Sequence, residues 1–252
     1  MATGLLTTAM ALVGLAGCAD GPSSPRAPAS TLFIGIDTGS AFRHSGHYDQ
    51  AVSFLSHYIY GHIHELGGLD KPQALFVTGM GGKESHEPKN IHSLREFEGK
   101  SVSQIESALK QWFPAVDPAP DFNPFFQGIA QVTREQGLSR APMTVLAITD
   151  GVPETSGTGT TADRHNLYAH IDLQPLEQAS RNVTLRLAYV SPTVGAYWRA
   201  QVPRNHIRLW TVDTEVMKRW KTYPHAGVAP QAQSAFWRWL HDDVDVRIRS
   251  AT

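Results

Sequence analysis

Cysteine is almost absent: Cys18 is the one cysteine in 252 residues, so a disulfide framework is excluded and the thiol has a single use. Excess charge of either sign is lacking too. Twenty-two Lys and Arg stand against 23 Asp and Glu, which leaves no electrostatic basis for binding nucleic acid or for adsorbing to anionic lipid. No segment stays apolar over the ~20 residues that a membrane-spanning helix needs. Three signatures of common chemistry are also missing: Gly-x-Ser-x-Gly, the full Gly-x-x-x-x-Gly-Lys-Ser/Thr phosphate loop (Gly99-Lys100-Ser101 has Leu94 where its first Gly belongs) and His-Glu-x-x-His. The nucleophile elbow, the phosphate cradle and the helical zinc pair that they encode go with them. No internal repeat is visible. What remains is an ordinary apolar fraction of 41%, which in a chain of this length suits one α/β domain with a proper core.

The first thirty residues read separately from the rest. Leu5 to Gly17 is apolar but too short to cross a bilayer as a helix, and it ends in Leu15-Ala16-Gly17-Cys18. That tetrapeptide resembles the lipobox of bacterial lipoproteins, whose Cys is acylated and becomes the mature amino terminus. The resemblance implies a signal peptide over residues 1–18, lipidation of Cys18 with palmitate among its chains, and a cell-envelope protein held to the membrane by lipid. Ala19 after the Cys is similar to outer-membrane sorting, with the domain facing the periplasm. One departure is that no Lys or Arg precedes the apolar stretch. Residues 19–30 are mostly Pro, Ser, Ala and Gly, the composition of a tether. Folding is expected over residues 31–252.

The folded part is organised around Thr31 to Phe42, TLFIGIDTGSAF, where an apolar run stops at Asp37. Leu32, Phe33, Ile34 and Ile36 are too continuous for a strand with one wet face, so the run reads as a strand covered on both sides, as in a parallel sheet. Asp37 then sits at the carboxyl end of a strand, where ligands bind in open α/β sheets. The competing reading is an Asx role, the carboxylate capping its own turn. A second run of the same kind, Thr144 to Asp150, ends in Asp150-Gly151.

Between and after these strands the pattern alternates. Tyr48 to Leu66 carries Ala51, Val52, Leu55, Tyr58, Ile59 and Ile63 on one helical face and stops at Gly67-Gly68. His57, His62 and His64 read as part of its solvated side. Gln73 to Thr78 is a buried strand, and Gly79 to Asn90 fits a loop or a short edge strand. Ser101 and Gln104 form a capping box for a helix that ends before Pro114. After a Pro-rich linker, Asn123 can cap and Pro124 can open a helix with Phe125, Ile129 and Val132 inward. Strands follow at Asn182–Ser191 and His206–Val212, with helices at Thr193–Gln201, Glu215–Lys221 and Gln231–His241. Asp242 to Arg249 is a terminal strand or a frayed end. Strands separated by helices pair in parallel through right-handed crossovers, which predicts a three-layer, doubly wound, mostly parallel α/β domain.

That order of pieces, with Asp121-Phe122-Asn123-Pro124 opening a helix and Ile148-Thr149-Asp150-Gly151 closing a strand, resembles the von Willebrand factor type A (vWA) domain over Thr31 to about Lys221. The resemblance implies a non-enzymatic domain that binds a protein partner through its loop crown. It also implies a divalent cation, usually Mg2+, at a metal-ion-dependent adhesion site. Asp37 matches the first acid of that site and Asp150 the last. The hydroxyl positions depart from the motif, being Gly39 and Ala41, with Ser40 between them; Pro120 stands where a Thr belongs, leaving Asp121. The implied site is therefore a degenerate one of Asp37, Ser40, Asp121 and Asp150, completed by water if a cation binds. A rival resemblance runs through Ile36-Asp37-Thr38-Gly39-Ser40, which is similar to the catalytic signature of aspartic proteases. It implies a nearly all-β hydrolase and, with no second Asp-Thr-Gly, a homodimer to supply the second acid.

Overall fold

The computed structural model describes residues 30–80, 90–114, 121–153, 167–225 and 227–245. Its centre is a six-stranded sheet: β1 (Thr31–Asp37), β2 (Ala74–Met80), β3 (His92–Ser93), β4 (Met143–Ile148), β5 (Val183–Val190) and β6 (Arg208–Asp213). The spatial order is β3-β2-β1-β4-β5-β6. All neighbours are parallel except β2 and β3, so the domain is the mostly parallel, doubly wound α/β structure that the alternation predicts.

The helices are α1 (Ser40–His44), α2 (Tyr48–Ile63), α3 (Val102–Trp112), α4 (Phe122–Glu135), α5 (Gln174–Ala179), α6 (Pro192–Gln201), α7 (Thr214–Lys218) and α8 (Ser234–Trp239). Alternation along each strand divides the core in two. Leu32, Ile34, Ile36, Leu146 and Ile148 face α2, α3 and the C-terminal segment. Phe33, Val145, Ala147, Leu185 and Leu187 face α4, α5 and α6. Every residue of β1 is buried, and burying a side chain such as Ile34 fully contributes roughly 1.5–3 kcal/mol. That explains why the run carries no polar alternation.

Local chemistry sets the helix limits. Ser101 accepts from the amide of Gln104 while the Gln104 side chain takes the amide of Ser101, the reciprocal box expected from the sequence. At α4 the cap is Asp121, not Asn123: Asp121 Oδ1 accepts from the Asn123 amide at 3.1 Å, which leaves Pro124 in the first turn. Phe125 and Ile129 face inward as expected, and Thr133 is buried where Val132 is only half-buried. Thr133 tolerates this because its hydroxyl donates to the Ile129 carbonyl at 2.8 Å.

A short helix, α1, follows Asp37 within three residues; at five residues it is too short to show a periodicity. One expectation needs correction. The helix α2 has no solvated histidine face: His62 is buried, His57 half-buried and only His64 exposed. The cause is a second cover, because Phe236, Trp237, Trp239 and Leu240 of the C-terminal segment lie in the same core cluster as α2. Of the late tryptophans, Trp198, Trp220, Trp237 and Trp239 are buried, while Trp210 on edge strand β6 is exposed.

Candidate functional site

Register brings the two acid-bearing strands side by side. The partners Ile36 and Ile148 pair in the β1–β4 ladder, so the residues that follow, Asp37 and Thr149, are neighbours at the sheet's C-terminal edge. The chain proceeds outward from β1 to β2 and β3, then returns past β1 to β4. The boundary between β1 and β4 is thus the topological switch point, where the loops diverge and leave a crevice.

Asp37 lies at the base of that crevice with both oxygens engaged. Its Oδ2 accepts from the Thr149 hydroxyl at 2.7 Å and its Oδ1 from the Gly39 amide at 2.8 Å. The turn is pinned to β2 as well, since the Thr38 amide and hydroxyl both donate to the Met80 carbonyl at 3.1 Å. Asp37 is fully buried, and burial pushes its pKa from 3.8 up to about 7; the Thr149 and Gly39 bonds oppose this, and the nearby charge of Asp150 adds to it. Desolvation therefore outweighs two donors.

Asp150 is half-buried, and burial raises its pKa as well, against a bond from the Val152 amide at 3.0 Å. Asp37, Asp121 and Asp150 thus share one device, each accepting from the amide two residues on. The Asx role and the crevice position hold together at Asp37. Ser40 opens α1 and is half-buried.

These residues meet a divalent cation's needs only in part. Two carboxylates, from Asp37 and Asp150, come together with the hydroxyl of Thr149. No group of three His, Cys, Asp or Glu residues among those described is placed to hold a metal ion, and Asp121 is committed to capping α4. Pro120 lies outside the described residues, as do Cys18 and residues 19–29 of the tether. The Asp-Thr-Gly-Ser reading loses its context: the strand carrying it is in a parallel sheet and runs straight into helix, where the protease fold is nearly all β.

Several crown residues escape sequence reasoning. Thr149 lies inside the Ile-Thr-Asp-Gly string, and a hydroxyl beside a strand-end acid was the available signal. Trp198 donates from Nε1 to the Gly151 carbonyl at 2.7 Å; Gly151 itself has φ +77° and a Cβ there would sit 3.1 Å from that ring nitrogen, so glycine is required. Tyr189 has φ 74° at the irregularity where β5 shifts register against β6. Such a conformation costs about 1–3 kcal/mol for a non-glycine residue. It is held by a 2.7 Å bond from the Thr214 hydroxyl to the Tyr189 carbonyl and by ring contacts to Phe42 and His47, with centroids 5.8 and 5.5 Å away. Nothing in the string NVTLRLAYVS announces it. His47 joins the crown here: burial lowers its pKa, while the charge of Asp150 pulls the other way.

No model of a known protein family matches the chain, and no curated protein does. Solved structures resemble it distantly. The SpRpn10 VWA domain is 11% identical with a TM-score of 0.39, over 82% of this chain and 93% of that one. Proximal thread matrix protein 1 from the mussel byssus is 8% identical with a TM-score of 0.43, over 84% of this chain and 46% of that one; another of its structures has a zinc-occupied MIDAS motif. The pilus adhesin SpaC from Lactobacillus rhamnosus GG is 10% identical with a TM-score of 0.45, over 84% and 29%. The chain thus spans less than half the length of the latter two. At such identities these likenesses carry nothing about its chemistry; the sheet order, the single antiparallel edge strand and the helices on both faces make the fold vWA-like.

Proposed function

We propose that the chain is a lipid-anchored bacterial envelope protein whose vWA-like domain binds another protein, without catalysing a reaction, through the loop crown above β1 and β4. The observation that carries this reading is the contact of Asp37 with Thr149 across the switch point, with Asp150 beside it. It supplies a pre-formed polar crevice at the place where open α/β sheets take ligands. The anchor rests on the lipobox-like string at Cys18 and places the domain at the outer membrane, facing the periplasm. Mass spectrometry of the protein produced in a bacterium tests it: an acylated Cys18 as first residue is expected, and Cys18→Ala should move the protein from the membrane to the soluble fraction. An unmodified chain retaining residues 1–17 would end the anchoring proposal.

Divalent-cation dependence is a second reading, favoured by the pressure on the two acids. Carboxylates whose ionisation is penalised by burial and by each other are relieved by a cation. Asp37 and Asp150 would hold Mg2+, with Ser40 and water completing a hard-oxygen shell and Asp121 left to its cap. Isothermal titration with Mg2+ and Mn2+ checks this on the chain from Ser30 onward. Under this reading both ions give heat and raise the melting temperature, and Asp37→Ala with Asp150→Ala abolishes both effects. Neither heat nor a melting shift in the wild type would leave protein binding through a cation-free crown.

A further inference from the structure

The opposite pole of the sheet holds a second cluster of ionisable groups. A cavity of about 130 Å3 opens beside the start of β1, lined by Thr31, Tyr58, His62, Asp70, Arg186 and Asp245 among others. His62 is 6% exposed, and its Nδ1 lies 2.8 Å from the Asp70 carbonyl oxygen. A carbonyl only accepts, so Nδ1 carries the hydrogen and Nε2 presents a lone pair. That Nε2 is buried and has no hydrogen-bond partner among the described residues. Nearby, the Arg186 guanidinium donates to the Asp245 carboxylate, and the Tyr58 hydroxyl donates to the same oxygen at 3.0 Å. Asp245 is delivered by a π-helical turn, Leu240–Val244, which its own amide closes on the Leu240 carbonyl at 2.8 Å. Such turns are rare and concentrate at functional places.

We propose that His62, the Arg186–Asp245 pair and the π turn form a proton-operated latch: when His62 takes a proton on Nε2, the turn Leu240–Asp245 loosens from the sheet while the rest of the domain stays folded. Protonation would put a second cation into one low-dielectric cavity with Arg186, and the Asp245 carboxylate there is already shared between Arg186 and Tyr58. The groups facing His62 are Tyr58 on its own helix, Asp70 on the following loop, Arg186 on β5 and Asp245. Burial holds His62 below the ordinary imidazole range, with Arg186 acting in the same direction and Asp245, Asp70 and the Asp70 carbonyl against it. A histidine lowered in the folded state contributes stability that is complete above about pH 6.5 and drains away as pH falls below it. Tyr58 and Arg186 sit within a continuous helix and a paired strand, whereas Asp245 hangs on the π turn, so that turn yields first. The cavity exceeds the ~30 Å3 that one water occupies, and His62 is one of the residues lining it.

Hydrogen exchange of the full chain at pH 7.5 and 5.5, corrected for intrinsic rates, tests the latch. In the wild type, protection of residues 240–245 should fall about tenfold or more, while that of β1 and β4 holds; one pH unit of proton linkage is a factor of ten. His62→Asn keeps a donor for the Asp70 carbonyl but cannot be protonated, and its turn should stay equally protected at both pH values. Asp245→Asn should leave the turn poorly protected at both. Equal protection of the wild type at both pH values overturns the proposal. So does an equal fall in His62→Asn, or loss of the turn and the core together. Should His62→Asn fail to fold, the imidazole resonance of wild-type His62 must titrate in step with the loss of protection; a flat resonance beside falling protection refutes the latch.

Discussion

Replacing Asp37 by Asn stabilises the domain by on the order of 3–4 kcal/mol at pH 8 and leaves it almost unchanged at pH 4. The carboxyl of Asp37 rises from 3.8 in the unfolded chain to about 7 in the fold. Its contribution to stability is therefore complete below pH 3.8 and is lost as pH climbs through 7. At ~1.36 kcal/mol per pH unit, the charged form at pH 8 carries a penalty of roughly 4 kcal/mol. Asn is neutral throughout and avoids it. The amide fits: its oxygen still accepts from the Gly39 amide, and its NH2 donates to the Thr149 oxygen, which also accepts from the Gly151 amide at 3.0 Å. The Thr149 proton then loses its acceptor, which is why the gain falls short of the full penalty. In a domain of this size the shift corresponds to about 10 °C in melting temperature, read by calorimetry at both pH values. A variant less stable than wild type at pH 8, or a gap of equal size at pH 4, would show that Asp37 is held ionised. A cation at the crown would produce the first of these results, and in saturating Mg2+ only.

This expectation rests on a crevice much of which the sequence discloses. Burial on both faces removes polar alternation from β1 and β4, so they stand out as apolar runs, and their terminal acids mark the sheet edge. Parallel pairing then follows from the intervening helices, which is how Asp37 and Asp150 come to be foreseen as neighbours. The strand β3, two residues long and antiparallel, carries no pattern to read. His62 misleads because a helical wheel supposes one buried face. The second cover on α2 comes from residues 234–244, some 170 positions away along the chain. The left-handed Tyr189 is invisible for a further reason: its strain is compensated by Thr214, Phe42 and His47, and none of these is adjacent in sequence. Thr149 was within reach, because a hydroxyl in step with a strand-end carboxylate has one obvious use.

Trp198 carries the other large effect. The indole is fully buried, packs edge-on against Phe122 with ring centroids 5.1 Å apart, and sends its N–H to the Gly151 carbonyl. Its two roles separate by substitution. Trp198→Ala removes both and leaves a cavity under α6, at a cost of about 3–5 kcal/mol. Trp198→Phe keeps much of the packing but strips the Gly151 carbonyl of its donor, at a cost of about 1–3 kcal/mol. Urea unfolding measures both, with the slope unchanged if only stability moves. The crown supplies the second readout. Gly151 is held at φ +77° between Asp150 and Val152, so losing its carbonyl partner should shift the amide resonances of Gly151 and Val152 in Trp198→Phe while those of Thr31–Ile34 stay in place. A Phe variant as stable as wild type with an unmoved crown would mean that the indole only fills space, and the Asp150 loop would then be held by its own Asx turn alone.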